Sequence, residues 1–77
     1  MNKIQREAID KIKYIIGGVP EVAFNELTKW DKEIIRQRVI EEKPLWKIAN
    51  DFGVQIERIR QVQNKALEKL VRYKKYE

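Results

Sequence analysis

The stretch from Pro44 to Leu70, PLWKIANDFGVQIERIRQVQNKALEKL, limits the fold more tightly than any other part of the chain. Pro44 suits the first turn of a helix, where its missing N–H costs nothing. Ala49 is small enough to face a partner helix that a larger side chain would push away. Gly53, four residues on, stands where the chain must leave that helix with a positive φ, roughly two and a half turns after Pro44. Val54, Ile59 and Val62 then return apolar side chains to the side already occupied by Ile48 and Phe52. Ile48, Ala49, Phe52, Gly53, Val54, Ile59 and Val62 thus specify the core of two helices packed across a tight turn.

The rest of the chain reads as helices leading into this unit. Residues 3 to 16 place Ile4, Ala8, Ile12 and Ile15 at helical spacing, and Gly17-Gly18 closes that helix. Pro20 to Glu26 reads as one or two short helical turns. Thr28, with Asp31 three positions later, forms an acidic variant of the capping box. It opens a helix over about Lys29 to Glu42 that turns Leu27, Trp30, Ile34, Ile35 and Val39 inward. The last helix, near Gln55 to Tyr73, gathers Ile59, Val62, Ala66, Leu67 and Leu70 on one side. Glu57, Gln61, Asn64, Lys65, Glu68 and Arg72 gather on the other. No segment alternates with period two, so the expected fold is all-α: one compact bundle of four to five helices with a C-terminal helix-turn-helix and no wing. Residues 1–18 form the N-terminal helix and turn, 20–43 the middle block and 44–73 the helix-turn-helix. Ile9, Ile16, Val22 and Phe24 exceed what a three-helix core needs, and either pack the first helix onto the domain or form a docking groove.

Composition narrows the function. With 77 residues the chain holds one small domain near the lower limit for folding without staples. No Cys and no His means no disulfides, thiol nucleophiles, Cys/His metal sites or imidazole catalysis, so neither an enzyme nor a metal or cofactor is expected. No run approaches a membrane span and the start lacks a signal-peptide pattern, which fits a soluble cytoplasmic protein with no membrane partner. The net charge of +5 is unevenly spread. Residues 1 to 42 balance eight basic against eight acidic residues, whereas residues 43 to 77 hold nine against four. Positive charge clustered on a helix-turn-helix is the footprint of a phosphate-binding surface, with the second helix in a DNA major groove. For Lys74-Lys75 a solvated tail kept for solubility is the alternative.

Leu27-Thr28, Ile34-Ile35-Arg36-Gln37-Arg38, Leu45-Trp46-Lys47-Ile48-Ala49, Phe52-Gly53-Val54 and, above all, ERIRQVQNKALEKL resemble region 4 of the bacterial sigma-70 family over about residues 20 to 72. The resemblance implies a transcription regulator that contacts the promoter −35 element in the major groove and the β flap of RNA polymerase. It implies base contacts by Glu57 and Gln61, whose chemistry suits cytosine N4–H and adenine respectively. Arg58 and Arg60 match flanking phosphate contacts, and Leu45 matches a position whose backbone N–H meets a phosphate. Lys47 and Lys65 complete the expected backbone-contacting set, and Lys65 and Lys69 match positions that touch activators or DNA backbone.

The sequence also departs from the family pattern. Ile56 stands where an arginine commonly helps read guanine, Gln55 where Ser or Thr would cap the helix, and Pro44 where Thr commonly caps the preceding one. Glu68 adds an acid to the outward face. No segment supplies a −10-binding region, so the chain is either an excised domain or a solitary one working beside a separate sigma-like subunit or activator. Two readings of the function follow. One is a promoter reader; the other is a region 4 mimic that binds polymerase or another transcription protein without reading DNA. Arg58 and Arg60 meet phosphate in the first and are hydrated or paired along the helix, as Arg60 with Asn64, in the second. Trp30 belongs to the core side of its helix. Trp46 faces out, toward phosphate or a polymerase surface.

Overall fold

The computed structural model describes residues 3–73. Lys74-Lys75, the solubility tail of the sequence reading, lies outside them. Four α-helices and one 3-10 helix follow in order: α1 (Lys3–Gly17), the 3-10 helix (Glu21–Glu26), α2 (Lys29–Val39), α3 (Leu45–Phe52) and α4 (Ile56–Val71). Among the described residues there is no strand, and so no wing.

The capping box expected at α2 is present in both halves. Asp31 N–H donates to Thr28 Oγ1 at 3.1 Å, and Thr28 N–H donates to Asp31 Oδ2 at 3.2 Å. These bonds satisfy amides that a helix start leaves without ladder partners. The far end of α2 differs from expectation, since the helix stops at Val39 rather than Glu42. Glu42 takes a left-handed φ of 54°, and Lys43 N–H reaches back to Gln37 O at 3.1 Å, which closes the helix early and turns the chain toward α3.

α4 is the spine of the bundle and serves two clusters. Its first half contributes Ile59 and Val62 to a cluster with Ile34, Ile48 and Ala49, against which Trp30, Leu45, Phe52 and Val54 pack. Its second half contributes Ala66 and Leu70 to a cluster with Ala23, Leu27 and Ile35. Adjacent residues of α2, Ile34 and Ile35, therefore feed different clusters. Ile9, Ile34, Ile48, Ile59 and Leu70 are fully buried. Each such side chain stabilises by about 1.5–3 kcal/mol relative to exposure, a large share of the net stability of a chain this short.

α1 is rotated from the stripe read in the sequence. Ile9 and Ile12 are buried while Ile4 is 79% exposed. Ile12 belongs to both candidate stripes, and at 100° per residue the periodicity of a helix with isoleucines at 4, 9, 12, 15 and 16 does not choose between them. Packing against α2 and α4 makes the choice. Ile9, Ile16 and Phe24 thus pack inward, whereas Val22 stays exposed. Glu42 also accepts hydrogen bonds from Arg6 and from Lys13, the latter at 3.1 Å, and so ties α1 to the α2–α3 loop.

Candidate nucleic-acid interface

Backbone bonds build the turn between α3 and α4. Gly53 takes φ 68° and ψ 34°. Its N–H donates to Asn50 O at 3.2 Å, and Val54 N–H donates to Ala49 O at 3.0 Å. This pair satisfies the last carbonyls of α3, and a left-handed residue between them is what makes it possible. Only residues 53–55 separate the two helices. Gln55 precedes α4 without a side-chain cap bond, in keeping with its departure from Ser or Thr.

The inward side of α4 buries Ile59, Val62, Gln63, Ala66 and Leu70. Its outward side carries Ile56, Glu57, Arg58, Arg60, Gln61, Asn64, Lys65 and Glu68, all exposed. Glu57, Arg58, Arg60, Gln61 and Lys65, expected to meet DNA, are thus exposed, whereas Lys69 is half-buried. Arg60 pairs with Glu57, three positions earlier, rather than with Asn64. Arg58 turns instead toward α2, its guanidinium 5.3 Å from the centre of the Trp30 ring. Trp30 in turn meets Phe52 edge-on, with centroids 5.9 Å apart. A cation over an aromatic face at an exposed site is worth about 0.5–1 kcal/mol, enough to bias Arg58 toward the α2–α4 seam without fixing it there.

On α3, the Leu45 side chain packs into the core, so only its backbone is offered outward. Helical bonding begins with Lys47 N–H to Pro44 O at 3.1 Å, and the N–H groups of Leu45 and Trp46 are the donors that every helix start leaves unpaired. Lys47 donates to Asp51 at 3.2 Å, and Lys43 donates to the same carboxylate at 3.2 Å. Lys43 first, and Lys47 second, hold the Asp51 carboxyl below its ordinary range. These exposed pairs stabilise little, but they offset much of the positive charge on α3. Among the described residues neither Arg58 nor Lys65 has a carboxylate within ion-pair distance, so these two cations of α4 are less compensated than Lys47 of α3. Lys69 approaches Asp31 at 3.6 Å. Thr28, Trp30, Arg58, Gln61 and Lys65 line one open groove between the start of α2 and α4.

A family model for sigma-70 region 4 matches residues 23–72, most of the chain. The chain belongs to the sigma-70 region 4 family. Comparison with curated proteins and with solved structures finds no match. As a region 4 domain it is a non-catalytic regulatory module that binds DNA or a partner protein. Among the described residues no cluster of His, Cys, Asp or Glu is arranged to hold a metal ion, and no helix is long and apolar enough to cross a membrane. The region 4 match begins within the 3-10 helix and leaves α1 outside it.

Two features of this region 4 domain escaped the sequence reading. Arg38 is only 4% exposed and Gln63 7% exposed. Arg38 Nε donates to Gln63 Oε1 at 3.2 Å, and its Nη1 donates to Lys43 O at 2.8 Å. Burial lowers the pKa of this guanidinium, which nonetheless stays charged at neutral pH. The bonds join α2, α4 and the loop that feeds α3, and so hold the helix-turn-helix against the rest of the bundle. The signal was positional: Arg38 lies four residues after Ile34 on the inward side of α2, and Gln63 sits between inward Val62 and Ala66. The second feature is the Trp30–Arg58 stack, which joins residues 28 positions apart and had no local signature.

Proposed function

We propose that this region 4 domain acts in transcription by placing α4 in the major groove of promoter DNA while docking on the β flap of RNA polymerase. In this reading Glu57 and Gln61 contact base edges, and Leu45 (through its N–H), Lys47, Arg58, Arg60 and Lys65 contact the DNA backbone. The observation that carries it is the outward side of α4. Glu57, Arg58, Arg60, Gln61 and Lys65 all stand exposed on the second helix of a tight helix-turn-helix. Arg60 beside Glu57 can orient that carboxylate toward a cytosine amine and still reach a phosphate, and Arg58 can leave Trp30 at small cost. So few base contacts supply little affinity alone, and polymerase binding raises the effective DNA concentration to compensate.

The test is charge reversal at Arg58 and Arg60 together, both exposed, with promoter occupancy and transcription measured alongside polymerase binding. Direct DNA reading requires occupancy to collapse while polymerase binding persists. Occupancy and transcription that survive the double change to Glu assign the chain to the mimic reading. Intramolecular partners at both arginines favour that rival, because they give these side chains a role without DNA.

A further inference from the structure

Trp30 is only half-buried. Its ring packs on the helix-turn-helix cluster and meets Phe52 edge-on, at an interplanar angle of 71°. The capping box at Thr28 and Asp31 fixes the first turn of α2, which carries the ring. These contacts hold the indole in place. Over it lies the Arg58 guanidinium, 5.3 Å from the ring centre. Among the described residues Arg58 makes no hydrogen bond and no ion pair, whereas Arg60 is paired with Glu57. A ring attracts a guanidinium through its π face and consumes none of the five N–H donors. Arg58 is therefore settled without being satisfied. It shares the open groove between the start of α2 and α4 with Lys65, about two turns further along the same edge of α4.

We propose that Trp30 is a positioning residue for DNA binding: its ring holds Arg58 at the α2–α4 seam with its donors free for a backbone phosphate. This rests on the promoter-reading function proposed above, and within it on the Arg58 backbone contact. An arginine fixed by a phosphate loses rotamer freedom, and one already held on a ring has given up part of that freedom before DNA arrives. The gain cannot exceed the bias that the ring imposes, which at an exposed site corresponds to about two- to fivefold in affinity.

The test follows binding of the full chain to a random-sequence duplex, which reports backbone contacts, by fluorescence anisotropy over a salt series beginning at low salt. Arg58→Gln should weaken binding and flatten the slope of log affinity against log salt by about 0.9, the signature of one lost phosphate contact. Trp30→Leu should lose about two- to fivefold with the slope unchanged, because Arg58 still reaches its phosphate. It should lose nothing more in the Arg58→Gln background. Trp30→Tyr keeps an aromatic face and should stay within about twofold of wild type. In the wild-type chain, the Arg58 side-chain protons should be shifted upfield by the ring in NMR spectra and should keep that shift when duplex is added. That measurement decides the matter even where Trp30→Leu fails to fold. A Trp30→Leu loss of equal size with and without Arg58, tighter binding by Trp30→Leu, or Arg58 protons that lose the ring shift on duplex each overturn the proposal and leave the phosphate contact standing. Wild-type affinity and slope in Arg58→Gln refute that contact and this inference together.

Discussion

Replacing Gly53 by alanine isolates the contribution of one backbone angle to the helix-turn-helix. A Cβ built at Gly53 meets no atom within 4 Å, so the substitution has no steric cost from neighbours. What remains is the penalty of holding an L-residue at φ 68°, about 1–2 kcal/mol. The lower entropy of the unfolded alanine chain offsets roughly 0.4–1 kcal/mol of it. Gly53→Ala should therefore destabilise by about 1 kcal/mol, which lowers the melting temperature of a domain this small by roughly 4–8 °C. Gly53→Asn should cost less, because asparagine tolerates the left-handed region. Gly17→Ala supplies the control: its Cβ also meets nothing within 4 Å, and no positive φ is recorded there, so it should be neutral or stabilising. Urea unfolding followed by far-UV circular dichroism, with unchanged m-values, gives the three numbers. A neutral Gly53→Ala would refute the left-handed turn. A loss above about 3 kcal/mol would refute the open space around it, since backbone strain alone does not reach that value.

Three further outcomes are expected. Ile59→Ala, at a fully buried site of the helix-turn-helix cluster, should cost about 2–5 kcal/mol in the same urea assay. Gln63→Leu alone should cost about 1–3 kcal/mol by removing an acceptor from the buried Arg38, whereas Arg38→Met/Gln63→Leu should recover much of that loss; additive losses would mean that the two residues do not act as a pair. Arg6 and then Lys13 hold the Glu42 carboxyl below its ordinary value of 4.5. A depressed folded pKa contributes stability above the unfolded value and loses it as pH falls through the folded one. The protection of α1 amides, measured against the intrinsic exchange rate at each pH, should therefore fall below about pH 4.5, and Glu42→Gln should abolish that dependence; an unchanged protection profile would show that the loop does not hold α1.

Local chemistry makes much of this protein legible from its sequence. Capping at Thr28 and Asp31, the positive φ at Gly53 and the inward stripe of α4 each depend on residues a few positions apart, and the structure carries all three. The family block is also local in sequence, which is why region 4 could be recognised from ERIRQVQNKALEKL and its neighbours. Other features arise only when the helices pack. Two isoleucine stripes of α1 were equivalent until α2 and α4 buried Ile9 and exposed Ile4. α2 ended at Val39 because the left-handed Glu42 redirects the chain toward α3. Arg58 met Trp30, and Arg38 met Gln63, only because α2 lies across α4. Periodicity reports which side of a helix is apolar. Which groups approach that side from distant parts of the chain, and so whether a cation faces an aromatic ring, an amide or open solvent, is set by tertiary packing alone.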